Sequence, residues 1–296
     1  MSAETWPEGA TKEKCRFPKL SMVSPELSKD NMKVELKNIT FGYDKLNTVL
    51  DDISFTINTS ACVSIVGSSG CGKSTLLRLI CGLLPNSKHQ YFSGKISIDN
   101  LEIMNDKPKW QELRSKGHLG FMFQEPSLLP HLNVEDNIHL PLKIIGNTHN
   151  GDEIVSKYLR ITGLDDDKYK LPTQLSGGMK TRVALARTII TKPKLLLLDE
   201  PFSALDIVWK SKLYEEVKKL KSKINTTVIL VTHDIFEAIN FSNEIIVLGD
   251  DHKIIETVKI NNWSDVLSYN DVVINHHKEF VYIKQLIEQN RMVNSL

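Results

Sequence analysis

Long hydrophobic runs are missing from this chain. Its longest apolar stretches, Lys194 to Leu198 and Val228 to Val231, are strand-sized, far short of the ~18 residues that cross a bilayer. Any work at a membrane therefore needs another chain to span it. Cysteine is scarce: Cys15, Cys62, Cys71 and Cys81 show no metal-ligand spacing. Cys71 lies in a glycine-rich turn where a disulfide would interfere, so the reduced thiols of a cytosolic protein are expected. Charge of one sign is also lacking. A net charge of +1 with 25% charged residues gives no support to a nucleic-acid role. No internal repeat is found, and Met1 to Asp30, with scattered Pro, Lys and Glu and no apolar run, does not read as a secretory signal.

What is present is a chain of 296 residues, 41% hydrophobic, long enough for one large lobed domain or two small ones. Residues 1–32 have little apolar content and no periodicity, and read as a flexible extension or a partner-binding tail. Alternation then begins at Met32, and Val49 to Ile57 and Ala61 to Val66 read as further strands, the latter apolar on both faces like a central parallel strand. Gly94 to Asp99 reads as an edge strand and His118 to Phe123 as a core strand. Glu125 to about Ile190 has helical spacing broken at Gly146 to Gly151, which predicts a helical lobe inserted in an α/β core. Strands Thr227 to Val231 and Glu244 to Leu248 complete βαβ units. A short amphipathic helix carrying Phe280, Ile283, Leu286 and Ile287 ends the chain.

The most informative stretch is Gly67-Ser68-Ser69-Gly70-Cys71-Gly72-Lys73-Ser74-Thr75, set between an apolar strand and a helical run. Glycines allow a turn tight enough to aim several N–H groups inward, and the helix N-terminus adds partial positive charge. The loop is expected to hold a nucleotide's phosphates, with Lys73 on the β/γ-phosphates and Ser74 on Mg²⁺. Asp199-Glu200, directly after four leucines, places two carboxylates at the C-terminal end of a strand, where open α/β sheets bind ligands. Asp199 suits a second Mg²⁺ anchor, and Glu200 a residue that orients or deprotonates water. In Leu175-Ser176-Gly177-Gly178-Met179, Ser176 can cap the following helix and leave its N–H groups as a second anion site. Alone, that cap is as well explained by structure as by ligand binding.

With these three elements the chain resembles the ATP-binding cassette ATPases from about Val34 to Leu248. Gly67 to Thr75 is similar to the Walker A loop, Gln124 to the glutamine loop, Leu175 to Met179 to the signature and Leu195 to Glu200 to the Walker B strand. Ser203-Ala204-Leu205-Asp206 resembles the D-loop, and His233 after Thr232 the switch histidine. Out of this order, Gln124 would read as a strand-end amide and His233 as a core histidine. The pattern departs from the family after Met179, where Lys180-Thr181-Arg182 replaces two basic residues around a glutamine.

The resemblance implies an α/β P-loop NTPase core with a mainly parallel sheet, an antiparallel β subdomain and an inserted α-helical subdomain at about 125–190. The ATPase domain is expected over 33–258, with a helical tail at 259–296. The implied cofactors are ATP and Mg²⁺. Tyr43 would stack on adenine, Gly67 to Thr75 with Ser176, Gly177 and Gly178 would bind the nucleotide, and Ser74, Gln124 and Asp199 would hold the metal. Lys73, Gln124, Glu200 and His233 would serve catalysis. Since one chain's signature does not easily reach its own phosphate loop, two copies would enclose two ATP molecules head to tail.

Gln124 to Val134, Pro201 to Asp206 and Glu279-Phe280-Val281 look most like the nitrate, sulfonate and taurine importer group. That likeness implies integral membrane permease partners, an extracytoplasmic substrate-binding protein and a peripheral place on the cytoplasmic face of the cell membrane. Leu128, Leu129 and Leu132 are then candidate walls of a permease-docking groove, or simply lobe packing. Two other readings stay open: a soluble cassette ATPase of an assembly system such as iron–sulfur cluster biogenesis, and a nucleotide-binding regulator that does not hydrolyse. A DNA-repair cassette would carry a long coiled-coil insertion, which this chain lacks.

Overall fold

Two sheets share one apolar interior. The computed structural model describes residues 32–44, 46–84, 90–103, 106–147, 149–260 and 275–293. Apart from Met32, the expected N-terminal extension lies outside them, as does most of the segment leading to the final helix.

The first sheet is antiparallel, in the order β2 (Thr48–Ile57), β1 (Val34–Gly42), β4 (Tyr91–Ile98), β5 (Leu101–Glu102). The second is mainly parallel, in the order β10 (Ile254–Lys259), β9 (Glu244–Leu248), β3 (Cys62–Val66), β8 (Thr227–Val231), β7 (Leu195–Asp199), β6 (Leu119–Met122), with only β10 running against its neighbour. The sequence expectation of an edge strand over Gly94 to Asp99 is met along most of β4. β4 begins at Tyr91 and pairs along its length with β1, while on its other side the two-residue β5 pairs with Ser97 and Ile98 alone.

The parallel strands explain their own composition. In β7 all four leucines are fully buried; Leu195 and Leu197 face the antiparallel sheet and α1 (Lys73–Ile80), whereas Leu196 and Leu198 face the helical lobe. With period-two alternation and both faces covered, each leucine contributes about 1.5–3 kcal/mol of burial. Met32 belongs to this interior, not to an extension. Its side chain is buried and its carbonyl accepts a hydrogen bond from Thr227 Oγ1 at 2.7 Å.

The lobe between β6 and β7 consists of α3 (Val134–Ile144), α4 (Gly151–Thr162), a 3-10 turn at Pro172–Gln174 and α5 (Gly177–Ile189). Asn133 caps α3 by accepting from Asp136 N, and Gly163 closes α4 in the left-handed conformation. The remaining helices are α2 (Lys107–Ser115), α6 (Ile207–Ile224), α7 (Ile235–Phe241) and α8 (His277–Val293). α8 packs on α7 and β9 through Ile283, which joins Ala238, Ile239, Val247 and Val258.

Candidate functional site

Two glycines fix the path of the loop after β3. A Cβ on Gly67 would sit 2.3 Å from the Leu248 carbonyl oxygen, and one on Gly72, where φ is 110°, would sit 2.5 Å from that of Val49. The chain then enters α1, whose first turn has no acidic residue to offset its positive end. Lys73 is buried, and its Nζ donates to the carbonyls of Gly67 at 3.0 Å and Ser68 at 2.6 Å. The ammonium group is thus held within the loop, where phosphate oxygens can replace those carbonyls as acceptors. Ser69 and Gly70 form the exposed rim, and burial pushes the Cys71 thiol up despite nearby Lys73.

Ser74 Oγ donates to Asp199 Oδ1 at 2.8 Å. Asp199 is fully buried at the end of β7, and its Oδ2 has no hydrogen-bond partner. Burial pushes this carboxyl above its ordinary range, and the Ser74 hydroxyl only partly opposes the shift. A hydroxyl beside a carboxylate with a spare oxygen fits a hard divalent cation that draws its other ligands from phosphate and water.

Glu200 follows with φ +47°, an uncommon conformation for a non-glycine residue. Its backbone is tied on both sides: its N–H donates to Val231 O at 2.9 Å, and its carbonyl accepts from Ser203 Oγ at 3.1 Å. This turn projects the side chain toward two loops from other strands. Gln124 Nε2 lies 3.4 Å and His233 Nδ1 3.3 Å from the same Glu200 Oε2. The structure therefore brings Gln124 to Glu200, and no described hydrogen bond joins it to Ser74 or Asp199. Tyr43 reaches the first turn of α1 through a 3.1 Å hydroxyl contact with Thr75 Oγ1, its ring standing edge-on to Phe41.

The signature residues lie elsewhere. Ser176 Oγ accepts from Met179 N at 3.3 Å, and a Cβ on Gly178 would lie 3.2 Å from the Ala204 carbonyl. Gly177 is exposed with open space beside it. No hydrogen bond among the described residues joins 176–178 to 67–75. The residue that departs in Lys180-Thr181-Arg182 is Thr181, and its Oγ1 donates back to the Gly177 carbonyl at 3.1 Å. Arg182 donates to the carbonyls of Thr162 at 2.5 Å and Gly163 at 3.3 Å, and its guanidinium lies 4.0 Å from the Trp209 ring centroid. It fastens the end of α4 to α6. Replacing Arg182 with alanine should lower unfolding stability by about 1–3 kcal/mol, since the stacking and both bonds are lost; an unchanged denaturant midpoint would contradict this role.

Sequence reasoning missed a buried network behind His233. Glu237 accepts from Thr232 Oγ1 at 2.8 Å and pairs with Lys210 of α6 at 2.6 Å, linking the helix after the D-loop segment to the switch loop. Its available signal was the spacing Asp234-x-x-Glu237, a capping arrangement in which Asp234 accepts from Phe236 and Glu237 N–H groups.

The chain has relatives among known proteins. The model of the ABC transporter family matches residues 50–203, just over half of the chain. A spermidine/putrescine import ATP-binding protein of Spiroplasma citri is 42% identical over 219 residues, covering 73% of this chain and 59% of the relative. That of Haemophilus influenzae is 38% identical over 218 residues, covering 73% and 55%. The chain thus spans little more than half the length of these curated relatives. A solved dimeric structure of the ATP-binding cassette MJ0796 in a post-hydrolysis state, bound to ADP and Pi, superimposes with a TM-score of 0.69 at 32% identity, covering 77% of this chain and 99% of that one. By sequence and by fold, this chain belongs to the ABC transporter family.

Proposed function

We propose that the chain is the ATP-hydrolysing subunit of an importer, driving a separate permease by closure and release of a cassette dimer. The observation that carries this reading is the convergence of Gln124 and His233 on one oxygen of Glu200, beside Ser74 and Asp199 at the end of the phosphate loop.

In this reading Lys73 and the loop N–H groups hold the triphosphate, while Tyr43 offers its ring to the adenine. Ser74 and Asp199 would hold Mg²⁺, which would supply positive charge against the phosphates. Glu200 accepts the proton of the attacking water as its oxygen bonds to the γ-phosphorus and the bond to the ADP oxygen breaks. Gln124 and His233 orient that carboxylate and the γ-phosphate end of the site. Ser176, Gly177 and Gly178 of a second copy complete the pocket. The exposed signature turn and the dimeric form of the MJ0796 cassette support this division.

A cavity of about 330 Å³ lined by Phe121, Leu129, Leu140, Pro141, Ile144 and Arg187 offers the permease a docking groove, with Phe121 on the strand that leads to Gln124. Leu129 is a wall of it. Leu128 instead packs into the lobe core, and Leu132 is not among the lining residues. No helix among the described residues is long and apolar enough to cross a membrane, so attachment at the cytoplasmic face would come through that permease. The relatives are named for spermidine and putrescine import, which favours a polyamine-class solute over nitrate, sulfonate or taurine. An extracytoplasmic binding protein would deliver it.

Phosphate release from Mg²⁺-ATP by the purified chain, together with recovery of a multi-span protein when the chain is isolated from detergent-solubilised membranes, is the expected result. Absence of turnover, or recovery only of soluble assembly proteins, would overturn the proposal. Tyr43→Ala should weaken ATP binding by about 1–3 kcal/mol while Tyr43→Phe keeps it, because stacking needs the ring and not the hydroxyl; equal affinities in equilibrium titrations would remove Tyr43 from the adenine.

A further inference from the structure

Behind the phosphate loop, the turn between β9 and β10 carries a histidine in a backbone conformation that favours glycine. His252 has φ +66°, and a left-handed histidine is retained at a cost that glycine would avoid. The surrounding bonds hold it there. His252 N donates to Gly249 O at 3.1 Å, Gly249 N to Lys253 O at 2.9 Å, and Asp51 N to the His252 carbonyl at 2.9 Å. In this conformation Nδ1 lies 3.3 Å from the carbonyl oxygen of Cys71, inside the phosphate loop.

The other side of the turn is held by the C-terminal helix. Asn290 Oδ1 accepts from Asp250 N at 2.6 Å, and a Cβ on Gly249 would sit 2.9 Å from that same oxygen. Farther along α8, Ile283 is fully buried among residues of β9, β10 and α7. The last residue of β9, Leu248, is the one whose carbonyl backs Gly67. The loop is therefore supported from behind at two points, Gly67 and Cys71, by one strand end and its turn.

We infer that His252, braced by Asn290 of α8, is a positioning residue for the phosphate loop: it holds the Cys71 carbonyl and so sets the direction of the phosphate-facing amides. In a planar trans peptide the C=O of Cys71 and the N–H of Gly72 point opposite ways, so a donor that fixes one fixes the other. Nδ1 must carry the proton to donate to that carbonyl. The ligand is the polyphosphate of a nucleotide, and the inference rests on the nucleotide reading above.

The test compares full-length wild-type protein with His252→Gly, His252→Asn, Asn290→Ala and, as a control on the same helix, Tyr282→Phe. Each is titrated with Mg²⁺-ATP, assayed for steady-state hydrolysis and melted without nucleotide. Glycine relaxes the turn, so His252→Gly should melt no lower than wild type. Its ATP affinity should nevertheless fall about three- to tenfold, the worth of one hydrogen bond, with KM raised and kcat within about twofold. Asparagine, which tolerates the left-handed region and carries a donor, should recover part of the loss; Asn290→Ala should shift affinity the same way by less, and Tyr282→Phe should not shift it. Wild-type affinity in His252→Gly would overturn the positioning role, and wild-type affinity in Asn290→Ala alone would overturn the part assigned to α8. Failure of the wild-type chain to bind Mg²⁺-ATP would overturn the nucleotide reading and this inference with it.

Discussion

Glu200→Gln should retain ATP and lose its hydrolysis, with turnover falling about 10²–10⁴-fold, the span that a positioned general base contributes. The amide keeps the shape of the carboxylate and can still reach Gln124 and His233, so the pocket and the turn at φ +47° survive. What disappears is the acceptor for the water's proton. With ATP bound and uncleaved, the two copies should stay closed, and size-exclusion chromatography with ATP should show a stable dimer absent without nucleotide. Turnover at the parental rate would remove Glu200 from the chemistry.

Asp199→Asn has a less obvious consequence, because it should raise stability while destroying activity. Burial pushes the Asp199 carboxyl above its ordinary range. A carboxyl with a raised folded-state value is easier to protonate in the folded chain than in the unfolded one. Its ionised form therefore costs stability at every pH above the folded value, and the cost fades as pH falls through that value toward the unfolded one. At pH above the folded value the nucleotide-free wild type bears the full cost. The neutral amide removes it and can still accept from Ser74, so the variant should gain about 1 kcal/mol, or about 2–4 °C in melting midpoint. The gain should shrink in acid. Hydrolysis dependent on Mg²⁺ should fall by two orders of magnitude or more, because a carboxylate oxygen is lost from the cation's neighbourhood. A less stable variant at neutral pH, or one with parental turnover, would contradict this account of the buried pair.

The parts of the site that could be read from sequence are those where local chemistry and local structure coincide. Gly67 to Thr75 is contiguous, its glycines are demanded by backbone approaches to Leu248 and Val49, and the flanking strand and helix have plain patterns. The leucines before Asp199 fit a strand buried on both faces. By contrast, nothing within Gly94 to Asp99 reveals that β4 begins at Tyr91 or that β1 is its partner; sheet order depends on pairings distant in sequence. The helices α2 and α7 are capped by Asp106 and Asp234, yet they are so short that they depend on their tertiary partners. Arg182, Glu237 and His252 escaped for a related reason: each acts across elements, on the end of α4, on Thr232 and on Cys71.

Their shared feature is that they hold other residues in place. Lys210 and Glu237 tie the start of α6 to the loop carrying His233, while Ser203 Oγ donates to the Glu200 carbonyl. Gly178 lies against Ala204 of the same segment. A signature turn engaged by a second copy would therefore press on the segment that supports Glu200, and in the proposed dimer this would give closure a short physical route to that carboxylate.

The most direct measurement mixes two inactive forms of the protein, one carrying Lys73→Ala and the other Ser176→Arg, and follows phosphate release from Mg²⁺-ATP. If each pocket takes its phosphate loop from one copy and its signature from the other, every mixed dimer contains one intact pocket. An equimolar mixture should then recover about a quarter of wild-type activity, because half the dimers are mixed and each has one working site of two. A mixture as inactive as its components, although mixed dimers form, would show that both half-sites must come from one chain and would contradict the shared pocket.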